Sequence, residues 1–159
     1  MIFDTHAHYD DRKFDDDREE LLKQLRDAGI GRVVDIGADI DSTRKAVALA
    51  KQYDFIYAAA GVHPSDVDCL DERSFQWLAG LVEESVEEKG KIVAVGEIGL
   101  DYYWEKEPEQ RKKQQYWFEQ QMELARKTGL PVVIHSREAA KDTWDMMNGL
   151  KCEDIGGVI

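Results

Sequence analysis

Apolar and polar positions along this chain switch repeatedly between two periods. Runs rich in β-branched residues fall at 2–8, 32–37, 56–63, 92–99, 131–137 and 156–159; between them, apolar residues return every three or four positions. The runs read as strands and the intervening segments as helices. Asp15, Asp16 and Asp17 suit the positive end of a helix dipole, Leu21, Leu22, Leu25 and Ala28 supply that helix's apolar face, and Gly29 stops it. A second helix starts with Asp41 or Ser42 as its cap and carries Ala46, Val47, Leu49 and Ala50. Phe75, Leu78, Leu81, Val82 and Val86 mark a third, ending at Gly90. The fourth begins near Pro108 and stops at Gly129-Leu130-Pro131, and the fifth runs from 138 to about 148. Six strands alternating with helices predict βα units around a parallel sheet. No Ser/Gly linker, charged tail or low-complexity block interrupts them, so residues 1–159 are expected to form one domain.

The polar residues then fall in a pattern of their own. The strand ends read "DTHAH", "AAAGVHP", "VAVGEIGLD" and "VVIHSR", which puts all 4 histidines, His6, His8, His63 and His135, with Glu97, at or near the carboxyl end of a strand. In parallel α/β sheets the loops leaving that end converge on the site. Side chains on a strand alternate, so His6 and His8 face one side, and Asp4 is expected to share it. By the same rule Glu97 is in phase with Val93 and Val95, and His135 with Val133, which aims both inward beside apolar neighbours. A polar group aimed inward needs a partner. A divalent cation satisfies imidazole and carboxylate together, and mixed nitrogen and oxygen ligands suit Zn²⁺ or Mn²⁺ better than an all-oxygen Mg²⁺ cage.

Charge restricts the partners. With 33 acidic against 21 basic residues the net charge is -12, which argues against a broad basic footprint for duplex DNA or an anionic membrane. A phosphate substrate would need a local attractor, and a bound cation is one. No apolar run approaches the ~18 residues of a membrane span, and the first residues lack a basic region followed by an apolar one, so a cytoplasmic protein is expected. Cys69 and Cys152 belong to no CxxC pair and read as reduced residues rather than a disulfide or zinc knot.

Taken in order, "FDTHAH", "AAGVHP", "VGEIGLDYY" and "PVVIHSRE" resemble the TatD family of metal-dependent hydrolases, and the resemblance covers the whole chain. It implies a TIM-type (βα)8 barrel, here incomplete with about six βα strands, and metal-dependent hydrolysis of phosphodiester bonds in DNA. Carried over by residue, His6 and His8 are similar to the ligands of one metal, Glu97 to the catalytic carboxylate bridging two, and His135 to a ligand of the second. His63 resembles the family's substrate-side histidine. Arg137 is a candidate phosphate contact, with a surface or structural ion pair as the alternative. Asp101, Tyr102 and Tyr103 match the loop after the fourth strand and are expected to pack that loop. Two divalent ions (Zn, Mn or Mg) about 3.5 to 4 Å apart activate water and stabilise an in-line displacement at phosphorus, so no side-chain nucleophile is needed. A single-stranded substrate or a 3' end would reconcile phosphate chemistry with an acidic chain, because few phosphates need neutralising.

Such a barrel usually takes about 250 residues. In the family a further histidine and a last-strand aspartate complete the two metal sites, and neither position exists here. The expectations are a piece of a longer protein or self-association through open sheet edges, and weakened or absent nuclease activity for these 159 residues alone. Two alternatives stand beside the nuclease: an amide or ester hydrolase of the amidohydrolase type, and an inactive metal-binding half-barrel.

Overall fold

The computed structural model describes residues 1–159, apart from the side chain of Glu153. Six strands, β1 (Ile2–Ala7), β2 (Ile30–Ile36), β3 (Ile56–Ala60), β4 (Ile92–Asp101), β5 (Val132–Arg137) and β6 (Gly157–Val158), pair in parallel in chain order. Five helices lie between them: α1 (Arg18–Asp27), α2 (Ile40–Gln52), α3 (Glu72–Glu87), α4 (Pro108–Thr128) and α5 (Ala140–Gly149). This is a parallel α/β half-barrel. β1 pairs only with β2 and β6 only with β5, so the sheet is open at both ends. Apolar side chains at those edges are exposed, among them Ile2, Phe3, Val158 and Ile159.

Helix ends follow capping chemistry more closely than apolar period. The cap of α2 is Asp39, two residues before Asp41, because Asp39 accepts the Ser42 N–H at 2.6 Å and Ser42 Oγ accepts the Asp39 N–H at 2.7 Å. Asp71 and Ser74 close the same reciprocal box ahead of α3. Asp15, Asp16 and Asp17 precede α1 rather than open it, and Asp15 instead holds Arg18 at 2.7 Å.

The sheet has two differently packed faces. Against the helices lie Val33, Ile56, Ala58, Val95, Ile98, Leu100, Val132 and Ile134, together with Leu22, Leu78, Val82, Phe118 and Met122 from the helices. On the concave side Val34, Ile36, Ala59, Ala94 and Val133 form a smaller cluster. Val133 shares that side with His135, as alternation predicts.

In β4, alternation fails twice. Val93 and Ala94 both pack with the concave cluster, Val95 turns to the helices, and Glu97 turns back toward the histidines. The pairing explains it: β4 slips one residue against β3 beyond Ala58 and again against β5 between Val95 and Ile98. Each slip reverses the faces of every residue after it. Glu97 therefore faces inward in phase with Val93 and out of phase with Val95. A slip in β1 between Asp4 and Ala7 acts alike. Phe3 and Thr5 line the concave groove below the histidines, while Asp4 accepts the His6 N–H at 3.2 Å and its charge reaches Tyr9 on the helix side. Asp4 does not share the histidines' side.

Two glutamines on one face of α4, seven residues apart, clamp the strand ends. Gln114 Oε1 accepts the Asp101 N–H at 3.0 Å and its Nε2 donates to the Asp101 carbonyl at 3.1 Å. Gln121 Oε1 accepts the Val62 N–H at 2.8 Å and its Nε2 donates to the Val62 carbonyl at 3.2 Å. Both are buried, so their amides replace water for backbone groups of Asp101 and Val62 that no neighbouring strand pairs. Gln121→Leu keeps the volume and strands two buried backbone groups; a loss of about 3 kcal/mol is expected in urea unfolding. A loss below about 1 kcal/mol would mean that water reaches Val62.

Candidate metal centre

Four strand ends deliver the cluster. β1 ends in His6-Ala7-His8, β3 leads through Gly61-Val62 to His63, β4 carries Glu97 and Asp101, and β5 carries His135. Gly99 makes the approach of β4 to β5 feasible: its φ is +141°, and a Cβ there would sit 2.0 Å from the His135 carbonyl oxygen. The second glycine of "GEIG" therefore allows the close approach of the two strands that carry Glu97 and His135.

Glu97 lies at the centre and is 8% exposed. Its Oε2 faces His6 Nε2 at 3.3 Å and His8 Nε2 at 3.9 Å, while Oε1 faces His135 Nδ1 at 3.2 Å. Two nitrogen groups thus approach the two oxygens of one carboxylate. His6 Nε2 and His8 Nε2 are 3.3 Å apart. Two nitrogens each bound at ~2.05 Å in tetrahedral geometry would be roughly 3.3 Å apart, so the pair fits a shared small cation.

Protons are fixed by the next shell of contacts. His8 Nδ1 lies 3.0 Å from the Ile36 carbonyl oxygen, which only accepts, so the ring proton belongs on Nδ1 and the Nε2 lone pair points at the cluster. His63 has the opposite tautomer: its Nδ1 accepts the Ser65 N–H at 3.1 Å, which leaves Nε2 as an N–H donor in the neutral ring. Burial, reinforced by the charge of His135, pushes the His63 pKa down to about 4, so this ring is neutral near pH 7. Burial raises the Glu97 pKa, but the hydrogen bond from His135 and the charges of His63 and His6 outweigh it and the net shift is downward. His135 is raised, first by its hydrogen bond to Glu97 and then, against burial, by Asp101.

Ligand-type atoms of His6, His8 and Glu97 lie within 4.8 Å of one another, and so do those of His63, Glu97 and His135. All five residues come together, and Glu97 belongs to both groups. Arg137 stands two residues beyond His135 on β5. Among the described residues its guanidinium makes no ion pair and instead lies 3.9 Å from the Tyr103 ring centroid and 5.4 Å from that of Trp104.

Asp101 does more than pack a loop. β4 runs two residues past its expected end, and Asp101 is 1% exposed with Oδ2 at 2.9 Å from His135 Nε2. Its Oδ1 accepts the Tyr103 and Trp104 N–H groups, both at 3.0 Å. Asp35, which carried no signal beyond an acid in a strand, accepts the Tyr9 N–H at 2.5 Å and so anchors the turn after His8. Arg18 laces the same turn, donating to the Tyr9 carbonyl at 2.6 Å and the Asp11 carbonyl at 2.8 Å.

Known proteins share the sequence and the fold of this chain. The family model described as TatD related DNase matches residues 3–159. The uncharacterized metal-dependent hydrolase YabD of Bacillus subtilis is 37% identical over 159 residues, covering 100% of this chain and 60% of YabD. A 3'-5' ssDNA/RNA exonuclease TatD of Cronobacter sakazakii is 32% identical over 138 residues, covering 87% of this chain and 50% of that protein. The crystal structure of YjjV, a TatD homologue of Escherichia coli, superposes with a TM-score of 0.80 at 31% identity, over 94% of this chain and 56% of that one. A TatD-family hydrolase of Entamoeba histolytica has the same fold, with a TM-score of 0.87 at 22% identity over 99% of this chain and 57% of its own. The chain spans about half to three-fifths of the length of these relatives. Among the described residues no helix is long and apolar enough to cross a membrane. With the family model matched along nearly its whole length, the chain belongs to the TatD-related DNase family of metal-dependent hydrolases.

Proposed function

We propose that this chain supplies the metal-binding part of a phosphodiesterase that cleaves single-stranded nucleic acid, with one divalent ion on each side of Glu97. The observation that carries the reading is the splitting of the Glu97 carboxylate, one oxygen toward His6 and His8 and the other toward His135. Mixed nitrogen and oxygen donors favour Zn²⁺ or Mn²⁺ over Mg²⁺. Bound there, the ions would make water nucleophilic near neutral pH and stabilise charge on the oxygens of a phosphoryl displacement.

The side chains have separable tasks. The Ile36 carbonyl fixes the tautomer of the neutral His8 ring, so that its Nε2 lone pair faces the cluster. Neutral His63 offers Nε2–H to a phosphate oxygen, as a substrate-side group rather than a ligand. Arg137, unpaired with any described carboxylate, offers charge to the same phosphate. That relatives of this chain bear the name 3'-5' ssDNA/RNA exonuclease supports the choice of phosphorus over an acyl carbon.

Calorimetric titration with Zn²⁺ or Mn²⁺ is expected to give two equivalents per chain. Any cleavage of single-stranded DNA should disappear with chelator and return with metal. Chelator-resistant cleavage would refute the metal mechanism, and metal-dependent turnover of amide or carboxylic ester substrates without phosphodiester cleavage would refute the phosphodiesterase.

A further inference from the structure

Beside the Glu97 cluster, at the end of β4, stands a group of side chains with almost no task in the proposed chemistry. Trp104 is 64% exposed and Tyr103 38%, although both are large aromatic residues that normally find cover. Their rings meet edge to face, with centroids 4.7 Å apart at an interplanar angle of 87°. The Arg137 guanidinium lies over Tyr103 and flanks Trp104. In a chain of net charge -12 this cation has no carboxylate partner among the described residues, so the aromatic rings alone hold it.

The pair is also fastened to the cluster. Asp101 holds the backbone N–H groups of Tyr103 and Trp104 with one carboxylate oxygen and touches His135 with the other. Gln114 in turn clamps the Asp101 backbone from α4. The aromatic pair is therefore referenced to His135 through one buried carboxylate. Arg137 occupies a face of Tyr103, and the larger Trp104 surface stays open to solvent.

We infer that Trp104, braced by Tyr103 and Arg137, is a stacking platform for a nucleobase of the strand whose phosphate lies at the Glu97 cluster. An indole face takes any base, and an Arg held flat on a ring presents its edge N–H donors to a phosphate. The platform favours single strands over duplexes, because a paired and stacked base has no free face to offer. It rests on the nucleic-acid reading of the cluster, and deepens it by assigning a recognition element for the base.

Binding to this chain distinguishes the two. Anisotropy of a labelled oligothymidylate with phosphorothioate linkages, which resist cleavage, and of the same strand with abasic sugars throughout, is read with Zn²⁺ present. The native chain is expected to bind the base-bearing strand about tenfold more tightly than the abasic one, with quenching of tryptophan fluorescence. Trp104→Ala should remove both the preference and most of the quenching, and Trp104→Phe should keep part of the preference. The exposure of Trp104 lets circular dichroism verify that the variants stay folded. A native chain that binds both strands equally, or a Trp104→Ala chain that retains the preference, would overturn the platform while leaving the phosphodiesterase standing. Binding of neither strand by the native chain would overturn the nucleic-acid reading together with it.

Discussion

Glu97→Gln is expected to weaken divalent-ion binding at both nitrogen groups at once, whereas His135→Ala should affect only one. The asymmetry follows from position. Glu97 Oε2 is 3.3 Å from His6 Nε2 and Oε1 is 3.2 Å from His135 Nδ1, so one carboxylate charge serves two groups that share no other residue. An amide keeps the shape, but it removes the charge and turns one oxygen into an N–H donor aimed at a nitrogen that should bind metal. Affinity at each site should fall by more than about a hundredfold, beyond the 10–100-fold typical of losing an outer-shell partner. Zn²⁺ titration calorimetry and metal content after dialysis measure this. Native stoichiometry in Glu97→Gln, or loss of one equivalent alone, would show that the carboxylate does not bridge.

The second large effect concerns stability and lies behind the cluster. Asp35 is fully buried; Tyr9 satisfies one of its oxygens, while Oδ2 and the Oδ1 of buried Asp10 have no hydrogen-bond partner. Burial, with the negative charge of Asp10 adding to it, pushes the Asp35 pKa up to about 7. The unfolded chain releases that proton near the ordinary value of ~3.9. The folded state thus binds the proton more tightly, and the stability it confers is complete below about pH 4 and is lost as pH rises through about 7. Asp35→Asn retains an acceptor for the Tyr9 N–H, offers Asp10 a donor and cannot ionise. It should match the native chain in stability near pH 4 and exceed it above pH 7 by about 2 kcal/mol, less than the full linkage value because buried carboxylates relax toward their donors. Urea unfolding of both chains at pH 4.5, 6 and 8 measures the difference. A pH-independent difference would mean that Asp35 does not carry the proton.

These expectations depend on features of very different visibility. The order of strands and helices was legible because hydrophobic period is local: Leu22 and Leu25 on α1, or Val132 and Ile134 on β5, need no distant partner to declare their element. His6, His8, His63, Glu97 and His135 were legible as a set because each stands at the end of an apolar run, and the parallel topology brings such ends to one side. The glycines of "GEIG" were visible as letters, but their purpose was not. That Gly99 must clear the His135 carbonyl is a fact about two strands, and the two residues stand 36 positions apart in the chain.

Direction and support belonged to the tertiary structure. Strict alternation put Asp4 with the histidines and Val95 with Glu97, and both failed because β1 and β4 slip against their neighbours; a slip depends on pairing and leaves no periodic trace. Asp101 read as loop until β4 ran on to include it and aimed it at His135. Gln114 and Gln121 carried no signal in the sequence, and are buried because the backbone they clamp arrives from β4 and from the segment after β3. By itself the sequence determined which elements form, in what order, and which ligand-type side chains stand at their ends, since these follow from local periodicity and chain direction. The tertiary structure decided which way those side chains face, which ring nitrogen of His8 and of His63 carries the proton, and which buried acids and amides brace the cluster, since these depend on atoms that are distant in sequence.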